Sequence, residues 1–400
     1  MGKPKIRFKG YEDAWEQRKV SELLQERNEQ APMSEEYPLM AFIANQGVAP
    51  KGDRYDRSAL VNDETGKKYK RTEFGDFIYS SNNLETGSIG LNKYGNACIS
   101  PVYSIFKPTG KADLDFLGRR FLRKDFINEM VKWRQGVVYG QWKIHETDFL
   151  NIVVTVPTIE EQKRIGDFLD GLDSLITLHQ RKCEETKSLK KYMLQKMFPE
   201  NGKCVPEIRF SGFSDAWEQR KFGEIVEKYE DLVETPTEGY TRLGIRSHAK
   251  GTFHSFVEKG KELETAKMFR VAADKFIVNI TFGWEHAVAI TDENDAGKLV
   301  SHRFPQYSFN AGMVPKFFRY LILDENFKHH LELSSPGGAG RNRVLKLNDM
   351  LEYKMNFPSE VEQGKIAAYF DHLDHLITLH QHKCDELQKL KKFMLQNMFV

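Results

Sequence analysis

Ile6-Arg7-Phe8-Lys9-Gly10-Tyr11-Glu12-Asp13-Ala14-Trp15-Glu16-Gln17-Arg18-Lys19 returns 202 residues later as Ile208-Arg209-Phe210-Ser211-Gly212-Phe213-Ser214-Asp215-Ala216-Trp217-Glu218-Gln219-Arg220-Lys221, identical at 11 of 14 positions. A longer block repeats behind it. Residues 158–198 match residues 359–399 at a spacing of 201, with 23 identities in 41 positions. Both copies carry Leu-Ile-Thr-Leu-His-Gln and both end Met-Leu-Gln-x-Met-Phe. Between these blocks the likeness nearly vanishes. Solenoid repeats run about 20–50 residues, so a period near 200 means a duplicated domain. Two halves share a frame and differ in content, as a reader of two different targets requires.

The long repeated block predicts a helix in each half. Pro157 and Pro358 precede Thr158 and Ser359, which suit the N-cap, with Glu161 and Glu362 at the reciprocal capping-box position. No proline and little glycine follow for about 40 residues, which at 1.5 Å per residue is roughly 60 Å of helix. Ile165, Leu169, Leu172, Ile176 and His179 alternate steps of four and three, and Ile366, Phe370, Leu373, Ile377 and His380 do the same. The mean step of 3.5 is that of a coiled-coil seam, interrupted further on by Lys190 and Lys391. The simplest partner for one helix is the other, and two such rods make a spacer of fixed length.

The expected architecture is α+β. Two mixed α/β domains (residues 1–156 and 200–357, each with its opening repeat) are separated by two long antiparallel coiled-coil helices (157–199 and 358–400), with an internal pseudo-twofold repeat. Within the variable regions, residues 75–80, 100–106 and 273–279 read as strands. Residues 114–133 and 317–333 carry helical spacing, and each region then passes a glycine-containing loop, 136–143 and 337–343.

Composition narrows the function. Apolar residues make up 40% of the 400 and aromatics 12%, which excludes a disordered chain. No run of 18 apolar residues appears and the first residues resemble no secretion signal. Cys98, Cys183, Cys204 and Cys384 are scattered without CxxC spacing, which points to a reducing cytoplasm and away from disulfides or a zinc site. Net charge is only +2, from 59 basic and 57 acidic residues, so any nucleic-acid binding rests on local patches. There is no phosphate-cradling G-x-x-x-x-G-K-[ST] loop, no Asn-Pro-Pro-aromatic loop of the kind that grips a flipped base, and no G-x-S-x-G elbow.

Together, the duplicated opening block, the paired P-x-x-x-E-Q-x-x-I helix starts and the repeated closing helices resemble the specificity subunit of type I restriction–modification enzymes. The resemblance covers nearly the whole chain. It implies a non-catalytic DNA-binding subunit in which each variable region reads one half of a split target. Its partners would be double-stranded DNA, two methylation subunits docked on the paired helices, and restriction subunits, with no membrane. No cofactor is expected in this chain; S-adenosylmethionine would belong to the methylation subunit, and ATP and Mg to the restriction subunit. A two-headed coiled-coil scaffold without DNA specificity is the alternative, and a catalytic methyltransferase a weaker third reading.

The family's recognition domains diverge too widely to supply base-contacting positions, so candidates come from loop chemistry. Arg suits guanine edges and Asn suits adenine edges, and glycines let a backbone approach closely. In the first half these are Ser80, Ser81, Asn82 and Asn83 after one strand, and Arg134, Gln135, Tyr139, Gln141 and Lys143 in the later loop. In the second half they are Trp284 after the equivalent strand, and Arg341, Asn342 and Arg343 after the glycine-rich run. The competing view makes them turn formers and surface polars, with the arginines paired to local acids such as Asp349. Trp15 and Trp217 stand at the same place in both halves, so they read as structural anchors rather than base-stacking platforms. His372, His375, His380 and His382 crowd one helix at spacings that do not place a tetrahedral metal set on one face.

Overall fold

The computed structural model describes residues 3–50, 67–137, 141–200, 203–262, 267–337 and 343–400. They divide into two compact units: the first comprises residues 1–180 and 382–400, the second residues 181–381. The two long helices, Ile159–Lys196 and Glu360–Asn397, are continuous over 38 residues each, and each unit contains a stretch of both.

The helix starts follow from the repeated blocks. The Thr158 hydroxyl accepts a bond from the Glu161 backbone N–H at 3.4 Å. The Glu161 carboxylate, expected to turn back on the cap, goes instead to Arg7 of the opening block, with Nε–Oε1 at 2.7 Å and Nη2–Oε2 at 2.8 Å. Glu362 pairs with Arg209 in the same two-pronged way, both bonds at 2.7 Å. Both carboxylates are fully buried, and a buried charge survives only if it is paired and hydrogen-bonded. The bond to Glu161, and in the second unit to Glu362, raises each arginine's pKa above its ordinary value. The neighbouring glutamines are buried clamps. Gln162 donates to the Pro157 carbonyl and accepts from the Asp113 N–H, while Gln363 donates to the Pro358 carbonyl and accepts from the Val314 N–H. The repeated Glu-Gln pair thus ties each long helix to its own unit.

The seam positions serve the unit cores. Ile165, Leu169 and Leu172 are buried with Met398 and Phe399 in the first core. Ile366, Phe370 and Leu373 are buried with Met197 in the second. Ile176 is buried, whereas Ile377, His179 and His380 are half-buried. The two lysines that interrupt the pattern reach carboxylates on the other long helix within their own unit, Lys190 to Asp374 and Lys391 to Asp173.

Strands Glu16–Lys19 and Glu218–Lys221 pair antiparallel with Val153–Val156 and Lys354–Phe357, the strands that lead into the long helices. The variable regions, so unlike in sequence, repeat one topology. In the first unit an antiparallel four-stranded sheet runs Leu24–Glu26, Ser104–Pro108, Phe77–Tyr79, Ile89–Leu91. In the second it runs Val226–Tyr229, Gln306–Phe309, Lys275–Val278, Val288–Ile290. A further sheet joins Gln30–Ala31, Tyr69–Thr72 and Ala97–Ile99 in the first unit, and Leu232–Val233, Met268–Arg270 and Leu299–Ser301 in the second. The second unit extends this sheet with the hairpin Tyr240–Ile245 and Thr252–Val257 through a parallel bridge, Arg242 to Leu299. The first has a shorter hairpin, Ala41–Ile43 and Gly47–Ala49, and a parallel bridge from Leu39 to Cys98.

Trp15 and Trp217 are core residues, 1% and 2% exposed. Trp15 packs edge-on against Phe116 at 5.7 Å, and Trp217 against Phe317 and Phe198, both at 5.9 Å. Three expected elements differ in extent. Residues 114–133 form two helices, Leu114–Phe121 and Lys124–Val131, and the second unit likewise has Pro315–Leu321 and Glu325–Leu333, the latter capped by Asp324. Continuous apolar spacing hid these breaks because both helices of each pair bury residues in one core. The strand expected over 100–106 begins only at Ser104, after a turn at residues 101–102. Among the described residues no helix is long and apolar enough to cross a membrane.

Candidate nucleic-acid interface

In each unit, backbone bonds gather three loops: the turn of the small hairpin, the loop after the third strand of the four-stranded sheet, and the segment that returns toward the long helix. In the first unit Asn45, at φ 62°, donates its N–H to the Gly87 carbonyl at 2.9 Å. Gly87 has φ 95°, and a Cβ there would fall 2.2 Å from the Asn45 side-chain oxygen, so the approach requires glycine. In the second unit His248, also at φ 62°, donates to the Glu285 carbonyl, and Ala249 donates to that of His286, both at 2.8 Å. The returning segment is tied equivalently. Ile144 donates its N–H to the Ser81 hydroxyl at 3.0 Å, and Leu345 donates to the Ile280 carbonyl at 2.9 Å.

These ties decide what each first-unit candidate offers. Ser80 and Ser81 are 5% and 6% exposed. Their burial corrects the expectation that they stand on an open loop: Ser81 braces Ile144, and the pair positions its neighbours. The Asn82 side-chain oxygen accepts from the Trp142 N–H at 2.7 Å, while Asn83 is exposed. The expected loop over 136–143 contains a hairpin, Gln135–Val137 with Gln141–Lys143, whose Gln135 and Gln141 side chains are exposed. Arg134 is bonded to Glu85 at 2.8 Å. Lys143 is bonded at 2.6 Å to Glu146, which also accepts from Ser104. Burial opposes the Glu146 charge, but those two bonds outweigh it and hold its carboxyl below the usual range. Lys143 is therefore committed to the framework. Tyr139 lies outside the described residues. The structure adds Trp133 and Trp142, 40% and 48% exposed, which lie among the candidates in sequence.

In the second unit Trp284 sits on a 3₁₀ turn, Gly283–Glu285, with the Arg343 guanidinium 5.5 Å from its ring. The carboxylate beside Arg343 is Glu332, at 3.8 Å, rather than Asp349. Arg341 and Asn342 lie outside the described residues. Glu285 accepts a bond from the Ser247 hydroxyl. His286 is buried, which lowers its pKa and keeps it neutral, with Nε2–H donating to the Ile322 carbonyl at 2.8 Å. The hairpin turn 246–250, with exposed Arg246, His248 and Lys250, joins this cluster. Its sequence signal was weak: one glycine, Gly251, and no Asn-Gly pair to announce a turn.

The second unit also contains a cavity of about 600 Å³, lined by residues such as Phe198, Tyr320 and Tyr353, none of them from the three loops. Among the described residues no group of three His, Cys, Asp or Glu side chains could hold a metal ion.

Residues 12–188 match the family model described as the type I restriction modification DNA specificity domain. A curated relative, the type I restriction enzyme MjaVIII specificity subunit of Methanocaldococcus jannaschii, is 23% identical over 359 residues, 84% of this chain and 83% of that one. In fold, the chain is similar to the crystal structure of a type I restriction-modification system S subunit from M. genitalium. The TM-score is 0.56 at 13% identity, covering 100% of this chain and 99% of the other.

Proposed function

We propose that this chain, a member of the type I restriction–modification specificity-subunit family, recognises DNA in two parts, one with each unit, and brings methylation and restriction subunits to that target. The chain is the non-catalytic specificity component of such a system. One observation carries the two-part reading: both units gather the same three loops on the same sheet order, tied by hydrogen bonds at corresponding places, yet the loop side chains differ. Loops on a common framework are where binding specificity diverges. Amides, indoles and guanidinium groups on them are the groups that meet base edges and phosphates. A scaffold without DNA specificity has no need of divergent loops on a repeated frame. In this reading the chain carries no cofactor, and methyl transfer and strand cleavage belong to the partners.

The test is a complex of this chain with its methylation subunits, offered a randomised duplex pool across a salt series. Enrichment of a split motif, two fixed blocks around an unspecified gap, is expected. An enriched single continuous block, or no enrichment, overturns the two-part reading.

The pseudo-twofold pairing of the long helices belongs to the same proposal. Its support is the crossed pairs Lys190–Asp374 and Lys391–Asp173, equivalent positions exchanged between the two helices. Each helix passes from one unit into the other without a break, so its length sets the gap between half-sites. Half-sites about one DNA turn apart, roughly 34–36 Å, lie on one face of the duplex. Inserting four residues, about one helical turn, after Thr186 is expected to change the gap by a base pair or so with both half-sites intact. An active complex with unchanged gap would rule out the helices as the ruler.

A further inference from the structure

The hairpin of the second unit is longer than its counterpart in the first, with six-residue strands against three. Its strands, Tyr240–Ile245 and Thr252–Val257, are in register from Tyr240 opposite Val257 to Ile245 opposite Thr252. Thr252–Val257 is an edge strand. Among the described residues the other strand pairs by backbone with the rest of the sheet only at the single bridge at Arg242. Beyond that bridge the hairpin is a two-stranded ribbon, held at its turn by the bonds from His248 and Ala249 and along one strand by those of Thr252 and His254 to Asp295.

Successive side chains on a strand face opposite ways. Leu243 and Ile245 are buried in a small core with Val271, Ile277 and Val300. Arg242, Gly244 and, just past the strand, Arg246 alternate with them on the other face. Across the ribbon Ser255 stands opposite Arg242 and Phe253 opposite Gly244. A Cβ at Gly244 would come within 2.3 Å of the Phe253 ring, so the ring lies over the glycine. The Arg246 guanidinium is 5.4 Å from that ring's centre and donates to the Thr252 carbonyl. Phe253 is 40% exposed.

Charge marks this face, although exposed Arg303 elsewhere in the unit also has no carboxylate partner among the described residues. Arg209, Arg220, Arg270, Arg319 and Arg343 of the same unit each have a carboxylate within ion-pairing distance. Arg242 and Arg246 have none among the described residues. Two arginines on one face of a ribbon, without a carboxylate partner among the described residues and flanking an exposed aromatic, complement an anionic surface. The major groove of B-DNA, about 12 Å wide, admits a two-stranded ribbon. The short first-unit hairpin, Ala41–Ile43 and Gly47–Ala49, carries no arginine.

We infer that the 240–257 ribbon enters the major groove at one half-site, with Arg246 reading a base edge and Arg242 holding a phosphate at the groove wall. Arg246 stands at the exposed turn and reaches deepest, whereas Arg242 is half-buried at the stem. The inference rests on the reading of the chain as a DNA-recognition subunit, and names the element that does the reading in its second unit.

The test uses the full complex with its methylation subunits and duplexes carrying the selected wild-type motif, single-base variants of it, and a salt series. Arg246→Ala is expected to relax discrimination at one base pair of one half-site by about 10- to 100-fold, as loss of a bidentate arginine–guanine contact does. Arg246→Lys, which keeps the charge, is expected to relax it nearly as far. Arg242→Ala is expected to weaken all duplexes alike and lower the salt slope by about one. Melting temperatures within about 2 °C of wild type would show that the variants stay folded. A selective wild type whose variants keep its slope and base preference overturns the ribbon's role alone. A wild-type complex with no sequence preference overturns the DNA-recognition reading and the ribbon with it.

Discussion

The two units solve the same structural problem with different chemistry just before the third strand of the four-stranded sheet. In the first, Asp76 closes the turn. Its carboxylate accepts from the Glu73 N–H at 2.8 Å and the Thr72 hydroxyl at 3.1 Å, and lies 2.9 Å from the Arg27 guanidinium, which also grips Glu73. In the second, the Thr291 hydroxyl does the same work, accepting from the Lys275 N–H at 2.8 Å and donating to the Ala272 carbonyl at 2.7 Å. One unit buries a charge network and the other a hydroxyl, yet the strand that follows and its sheet are alike. The topology needs the buried backbone groups satisfied, whichever side chain does it. That tolerance is what frees the loops to diverge, and the predictions below test how far the independence of frame and loops extends.

The largest effect should come from exchange of whole regions. Replacing residues 228–351 with the equivalent region of a relative is expected to rewrite one half of the recognised motif and leave the other unchanged, as read by methylation mapping in cells carrying the hybrid. If both halves change, loops and frame are coupled and the comparison between units fails.

Next come the two buried arginine–glutamate pairs that hold the opening blocks. Arg7→Ala strands Glu161 and Arg209→Ala strands Glu362, each carboxylate fully buried. Breaking such a pair costs about 3–5 kcal/mol. Because the geometries match, the two losses should agree within about 1 kcal/mol in denaturant unfolding of the full chain. The double change Arg7→Met with Glu161→Leu is expected to recover most of the loss, since apolar replacement of a buried pair is often neutral. A loss under 1 kcal/mol in either single variant would show that the opening block is not anchored by this pair.

The sequence made the frame legible and left most of the rest unread, for a physical reason. Glu161, Gln162, Glu362 and Gln363 recur because a buried carboxylate and amide need specific partners, and that need leaves a motif. The shared sheet order leaves none, because buried strand residues such as Phe77, Ile78, Phe276 and Ile277 need only be apolar and of suitable size. For the candidate site, the loops after the third strands and the returning segments were readable as polar, glycine-bearing stretches. Nothing in Ser80-Ser81 distinguishes a serine that faces solvent from one that braces Ile144. The basic hairpin turn around Arg246 was unreadable because its left-handed residues are a histidine and an alanine, His248 and Ala249, where glycine or asparagine would have flagged it.

A smaller effect is expected at the loop contacts themselves. Gly87→Ala meets both a left-handed backbone and the Asn45 side chain, and strain with overpacking together should cost about 2–3 kcal/mol. Gly283→Ala meets only Leu345, with contacts of 2.9 Å, and should cost about 1–2 kcal/mol. Each change should weaken binding through its own half-site alone, measured with duplexes altered in one half at a time. A glycine variant that disturbs both half-sites equally would mean that the loops communicate through the frame.

The smallest expected difference separates the two seam lysines. Lys190 pairs with Asp374 and lies 5.2 Å from the centre of the Tyr320 ring. Burial and two carboxylates, Asp371 and Asp374, raise the Tyr320 pKa, so its hydroxyl stays protonated, its one proton shared between Asp371 at 2.8 Å and Asp374 at 3.0 Å. At the equivalent place the first unit has Arg119, which bonds Asp170 and Asp173 at 2.8 Å each. Lys391 therefore shares Asp173 with a second cation, where Lys190 has an aromatic face. Partly exposed ion pairs contribute about 0–1 kcal/mol, and a cation over a ring adds about 0.5–1 kcal/mol. Lys190→Ala is accordingly expected to cost about 1 kcal/mol. Lys391→Ala should cost close to nothing, because Arg119 still neutralises Asp173 after the lysine is gone. Unfolding curves of the two variants and of Tyr320→Phe with Lys190→Ala resolve the terms. The phenylalanine keeps a ring but leaves Asp371 and Asp374 without the phenol. If Lys391→Ala proves the costlier of the two, the ring beside Lys190 contributes nothing and the two ends of the seam are energetically alike.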